Sequence, residues 1–236
     1  MGIILKTIRL ILLGPLVAIN SILWVIICLT NPAHPKWTSY AANSYGQIGK
    51  WILGYRLDIE NKDILKNTDR NIIVSNHQSN YDIFYIGEIC PRMTVSVGKK
   101  AIIYFPFFGM MYWITGNILI DRGNKRKAWS VMDKVVERIK EGVSVWIMPE
   151  GTRSKGRGLL PFKKGAFVVS IKSGRPIIPV CVGNFHEKVD ITKFNSGTLK
   201  VKVLEPISPE GYTLDNIQDY IEHVRNKMSE ALESIS

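Results

Sequence analysis

Asn71-Ile72-Ile73-Val74-Ser75-Asn76-His77-Gln78-Ser79-Asn80-Tyr81-Asp82 is the stretch from which the rest of the chain can be read. Its first five residues form a short apolar run, the pattern of a strand buried on both faces. A polar turn follows, and Tyr81–Glu88 then reads as a helix. Further strands are predicted at Thr94–Val97, Asn117–Asp121, Val143–Met148, Ile177–Val182 and Leu199–Leu204, with helices at Lys125–Lys140, Gly165–Lys172 and Leu214–Ile235. This alternation predicts an α/β fold: a largely parallel sheet flanked by helices. Neither an internal repeat nor a low-complexity linker interrupts it.

His77 and Asp82 stand five residues apart across the strand-to-helix turn. From there the carboxylate can fold back onto one imidazole nitrogen, fix the tautomer and leave the other nitrogen free to take a proton. The carboxylate raises the basicity of the ring while the positive end of the following helix lowers it, a balance suited to a general base near neutrality. A second reading is purely structural. Ser79-Asn80-Tyr81-Asp82 also fits a capping box, in which Asp82 only closes the helix start. With four histidines and nine aspartates, a His-x4-Asp pair arises by chance about one time in seven. The spacing alone leaves both readings open.

Pro149-Glu150-Gly151-Thr152-Arg153-Ser154 follows another strand, at the end where α/β folds place ligands. Backbone amides, the Thr152 and Ser154 hydroxyls and the Arg153 fork could cradle a phosphate, within a field extended by Lys155, Arg157, Lys163 and Lys164. The spacing is not that of a P-loop, since Gly151-x4-Gly156 is followed by Arg157-Gly158. A basic surface loop is the competing reading. Gly116–Gly123 brings Arg122 to a strand end, as a second phosphate ligand or as a partner of Asp121. Pro176–Val180 reads as core strand.

At the N-terminus, Leu10–Leu29 is twenty residues without a charge, after Lys6 and Arg9, which is long enough to cross a bilayer. No small-x-small cleavage site follows, so the segment reads as an uncleaved anchor. A single span under a cytoplasmic body would put Lys6 and Arg9 on the far side, against the positive-inside tendency. A second segment, Trp37–Tyr55, carries aromatic residues at helical spacing and suits either the membrane interface or a helix packed on the body. A hairpin dipping into one leaflet would satisfy the charges. The chain thus divides into a membrane-attached helical segment, 1–55, and an α/β domain, 56–236.

The net charge of +11 fits a negatively charged partner: nucleic acid, an anionic membrane or a phosphorylated substrate. No RNA-recognition, zinc-finger or helix-turn-helix pattern points to nucleic acid. The three cysteines lie far apart, with no CxxC spacing, which suggests neither a zinc site nor a disulfide framework.

In this order, Asn76–Asp82, Gly116–Arg122, Glu150–Ser154 and Ile177–Val180 resemble the N-H-x4-D, G-x-x-x-I-x-R, E-G-T-R-S and proline-containing strand blocks of the glycerolipid acyltransferase family. Val97–Lys100, Pro106–Gly109 and Gly156–Lys163 are similar to its bacterial 1-acylglycerol-3-phosphate acyltransferases, and the likeness covers nearly the whole chain. The resemblance implies transfer of a fatty acyl group from acyl-CoA or acyl carrier protein to the sn-2 hydroxyl of lysophosphatidic acid, giving phosphatidic acid. It implies His77 as base and Asp82 as its orienter. Arg122 and Arg153 would hold the substrate phosphate, with Glu150, Gly151 and Thr152 in the same site and Lys99 (or Lys100) as a further ligand. The expected setting is the cytoplasmic membrane, the site facing the cytoplasm and membrane lipids as partners, with no metal, no cofactor and no nucleic acid. Two alternatives remain: another lysolipid acceptor, or a basic membrane-binding protein without catalysis. Ile102–Trp113 would line an acyl groove, belong to the core or touch the membrane.

Overall fold

The computed structural model describes residues 1–66, 70–121, 123 and 125–235. Two helices come first, α1 (Gly2–Cys28) and α2 (Pro35–Leu53), then strand β1 (Tyr55–Glu60) and a single turn, α3 (Asp63–Lys66). β2 (Ile72–Ser75), α4 (Asp82–Ile89), β3 (Thr94–Lys99), a 3-10 turn (Lys100–Tyr104), α5 (Phe108–Ile114) and β4 (Ile118–Ile120) follow. The chain closes with α6 (Lys125–Lys140), β5 (Ser144–Ile147), α7 (Gly165–Ser173), β6 (Ile177–Val182), α8 (Phe185–Lys188), β7 (Gly197–Val203) and α9 (Ile217–Ile235).

The strands form a seven-stranded sheet in the order β1-β7-β6-β2-β5-β3-β4. All neighbours are parallel except β6 and β7. Central strands bury both faces, as their unbroken apolar runs require. Along β2, Ile72 and Val74 face a core shared with α6, α7 and α9, while Ile73 faces a second core shared with α2 and α4. β5 and β6 divide their side chains the same way, giving the three-layer sandwich expected from the sequence. Five strands, β6, β2, β5, β3 and β4, run in one direction and bring their carboxyl ends to one edge of the sheet.

β1 is an element the sequence reading did not separate from the helical segment before it. Gly54 closes α2 in the left-handed region at φ 72°, and Tyr55 opens the strand immediately after. Leu13 of α1 and Ala41, Tyr45 and Ile52 of α2 lie in the same core cluster as Ile73, Trp146 and Ile178 of the sheet. The two N-terminal helices therefore share a core with the body across residue 55.

α1 is about 40 Å long at 1.5 Å per residue, and its mean hydropathy of 2.5 makes it long and apolar enough to cross a membrane. It lies along the body, with Arg9, Leu13, Asn20, Ser21 and Cys28 as its buried residues. Ile4, Ile11, Ile19, Leu23 and Ile26 are exposed. Arg9 pins the N-terminal half: its guanidinium donates to the carbonyls of Ile191, Lys193 and Phe194 and to Ser196 Oγ at 2.7–3.0 Å. Toward the other end, Trp24 Nε1 and Asn20 donate to Ser44 Oγ on α2. Arg9 thus binds the body of the protein through four hydrogen bonds. Arg9→Ala is expected to leave three carbonyls without their shared donor and lower stability by about 2 kcal/mol. Thermal melts in detergent, with limited proteolysis near residue 9, would measure this; an unchanged melt and cleavage pattern would refute the clamp.

Candidate active site

The loop after β2 is held rigidly to its neighbours. Asn76 pairs with the main chain of Val182 in both directions at 2.9 Å, extending the sheet by one residue through a side chain. Gln78 donates to the carbonyls of Val182 and Gly183 at 2.8 Å and accepts from the Phe185 amide at 3.0 Å. Between these anchors His77 is directed away from the core with its side chain 24% exposed.

Asp82 meets His77 Nδ1 through Oδ2 at 2.5 Å. The same oxygen accepts the Gln78 amide at 2.8 Å. Oδ1 accepts the Ser79 amide at 2.7 Å, the Ser79 hydroxyl at 3.2 Å and the hydroxyl of Tyr85. The aspartate therefore holds both the turn and the imidazole, while Ser79 Oγ accepts the Tyr81 amide instead of making the reciprocal bond of a capping box. Both oxygens accept turn amides, and Oδ2 also fixes the orientation of the imidazole. Nδ1 is committed to Asp82, and Nε2 is the ring nitrogen that remains.

The loop after β5 lies directly over this turn, because β5 neighbours β2 in the sheet. Gly151 turns it at φ 68°, a conformation that favours glycine. Ser154 and Lys155 donate their amides to the carbonyls of His77 and Gln78 at 2.8 and 3.0 Å. Glu150 is 2% exposed and faces inward. Its Oε1 accepts the His77 amide at 2.7 Å and its Oε2 the Leu160 amide at 3.1 Å. Burial raises its pKa above the usual carboxylate range, against the lowering effect of those two amides. Glu150 thus ties the backbone of His77 to the basic loop.

Thr152 and Arg153 are exposed, and the Arg153 guanidinium donates to Asn80. Beside them opens a cleft of about 500 Å³. Its lining combines the apolar Leu13, Val17, Tyr81 and Phe84 with the polar or cationic Asn80, Arg153, Lys155 and His186. Lys99 and Lys100, both exposed, leave the sheet at the end of β3, two strands from β2 and so about 10 Å across. Arg122 lies outside the described residues. The structure thus joins His77, Asp82, Glu150, Gly151, Thr152 and Arg153 in two stitched loops and leaves Lys99 on the same edge of the sheet. Sequence reasoning missed Asn76, Gln78 and Tyr85. Tyr85 was the one with a signal, since it lies one helical turn after Asp82 and on the same face.

Known proteins resemble this chain in sequence and in fold. A family model described as Acyltransferase matches residues 56–183. The 1-acyl-sn-glycerol-3-phosphate acyltransferase of Salmonella typhimurium is 40% identical over 208 residues, covering 88% of this chain and 84% of that protein. Its namesakes from Escherichia coli and Haemophilus influenzae are 38% and 37% identical, each over 88% of this chain and 84% and 90% of their own lengths. The crystal structure of the 1-acyl-sn-glycerophosphate acyltransferase from Thermotoga maritima shares the fold at a TM-score of 0.74. It covers 98% of this chain and 96% of its own at 20% identity.

Proposed function

The chain belongs to the acyltransferase family, and on that premise we propose that it moves a fatty acyl group from acyl-CoA or acyl carrier protein to the sn-2 hydroxyl of lysophosphatidic acid. The observation that carries the reading is the His77–Asp82 pair, at 2.5 Å, beside a cleft lined by both apolar and cationic residues. Bacterial relatives at 37–40% identity bear the name of that activity.

In this reading His77 Nε2 takes the proton of the acceptor hydroxyl as its oxygen attacks the thioester carbonyl. The tetrahedral adduct collapses with cleavage of the C–S bond, and the imidazolium returns the proton to the departing thiolate. Asp82 stabilises the imidazolium in between. Phosphatidic acid and a free thiol leave, and no step calls on a metal or cofactor. Arg153, with Arg122 and Lys99, holds the phosphate, and Thr152 lies in the same loop. The exposed apolar face of α1 seats the protein on the cytoplasmic membrane, with the site open to the cytoplasm and to lipid in the adjoining leaflet.

The test is product formation by purified protein in lipid or detergent, with each thioester donor and a panel of acceptors. Phosphatidic acid is expected from lysophosphatidic acid at rates well above any product from lysophosphatidylethanolamine or glycerol 3-phosphate. If folded protein made none with either donor, the acceptor assignment would fail. Arg153→Ala is expected to raise KM for lysophosphatidic acid about 10–100-fold, the value of a charge-assisted contact, with a smaller change in kcat. A KM unchanged within twofold would remove Arg153 from the phosphate site.

A further inference from the structure

We propose that Tyr85 is a positioning residue for the His77–Asp82 pair, its buried hydroxyl limiting how strongly the Asp82 carboxylate draws the proton on His77. The inference builds on the reading of His77 as the base, but the geometry behind it is independent of substrate.

Tyr85 is 1% exposed and lies one turn after Asp82 on α4. Its ring stacks on Phe185 at 5.6 Å, and Phe185 is itself held edge-on by Tyr55 at 6.2 Å and stacked by Tyr81 at 4.9 Å. A ring packed in this way cannot swing clear, so its hydroxyl stays directed at Asp82 Oδ1. A carboxylate offers about four lone-pair sites, and Asp82 is approached by five donors: His77, the Gln78 and Ser79 amides and the Ser79 and Tyr85 hydroxyls. The donors therefore share one pool of negative charge, and what Tyr85 draws to Oδ1 is withdrawn from Oδ2, where His77 binds. Tyr85 is also fixed as a donor, since burial and the Asp82 charge hold its hydroxyl pKa well above the usual range.

Other charges face the pair from each side. Glu150, from the loop after β5, reaches the His77 amide. Tyr55, from β1, lies behind Tyr85, and Glu88 lies near Tyr55, paired with Lys50 of α2 at 2.6 Å. Arg153, Lys155 and His186 line the open side. None of these groups hydrogen-bonds Asp82, whereas Tyr85 does, which makes it the adjustable donor from the core.

The sign follows directly. Tyr85→Phe returns charge to Oδ2, stabilises the His77 imidazolium and raises the pH at which that ring loses its proton. A ring-fluorinated tyrosine at position 85 is a stronger donor and moves it the other way. The experiment is an NMR titration of nitrogen-labelled histidine, with the His77 signal assigned by His77→Ala. The midpoint is expected to rise in Tyr85→Phe and to fall with the fluorinated residue, each acid limb of the kcat/KM profile moving with it. Midpoints unmoved in both proteins would overturn the proposal and leave Tyr85 as core packing alone. Should Tyr85→Phe fail to fold, the nearly isosteric fluorinated protein decides by itself. If the titration moves but no phosphatidic acid forms, the substrate assignment has failed and the coupling stands.

Discussion

His77→Ala is expected to lower kcat/KM for acyl transfer by about 10²–10⁴-fold while the protein keeps its fold. The geometry allows this loss to be assigned to chemistry. The structural hydrogen bonds of residue 77 run through its backbone: the amide to Glu150 at 2.7 Å and the carbonyl from Ser154 at 2.8 Å. Alanine keeps both. Asp82 loses one of its donors and retains the Gln78 and Ser79 amides, so stability should fall by only about 1 kcal/mol. The rate is best read in a single turnover with lysophosphatidic acid and a long-chain acyl-CoA, alongside a thermal melt. An active, folded alanine variant would dismiss His77 as the base. A second test follows from the 2.5 Å pair. If His77 and Asp82 act as a unit, His77→Ala combined with Asp82→Asn should be little slower than His77→Ala alone; multiplied losses would mean two separate roles.

What could be read in the sequence and what could not divide along a physical line. Strands buried on both faces, such as Ile177–Val182, show as unbroken apolar runs, and that one was placed to the residue. Lys125–Lys140 was also placed to the residue, because its apolar face repeats at helical spacing. β1 was lost because Tyr55-Arg56-Leu57-Asp58-Ile59-Glu60 is only half-buried and begins directly after the helical pattern of α2. Its partner is β7, more than a hundred residues away, which no local pattern reveals. Ile102–Trp113 was read as an apolar stretch of open purpose, and the structure resolves it into parts of two elements. These are a 3-10 turn and a short helix, α5, joined through Phe107 at φ 59°. The site divides in the same way. His77 and Asp82 are near neighbours in the chain, so their spacing carried the signal. The inward turn of Glu150 depends on β5 lying beside β2, a contact across 73 residues.

Glu150 gives the other large effect, and its form separates two roles. A residue that bound substrate would, when removed, raise KM. A buried carboxylate that holds the His77 amide at 2.7 Å and the Leu160 amide at 3.1 Å should act on kcat instead. Glu150→Ala leaves two amides without acceptors and lets the His77 turn shift against the basic loop. A misplacement on the order of 1 Å costs about 10²-fold in rate, so kcat should fall by about that factor with KM within about twofold. Stability should fall by roughly 2–6 kcal/mol, since each of the two stranded, part-buried amides costs about 1–3. Glu150→Gln should be intermediate, because its amide oxygen can accept from one of the two N–H groups but its NH2 cannot accept from the other. The pH dependence offers an independent check. Burial raises the folded pKa of Glu150, so between the ordinary carboxylate value and that raised value the folded state binds more protons than the unfolded one. Wild-type stability should therefore decline as pH rises through that interval, and Glu150→Gln should lack this component. A KM-dominated defect, or a glutamine variant with the wild-type pH slope, would mean that the carboxylate meets substrate and that its inward bonds are incidental.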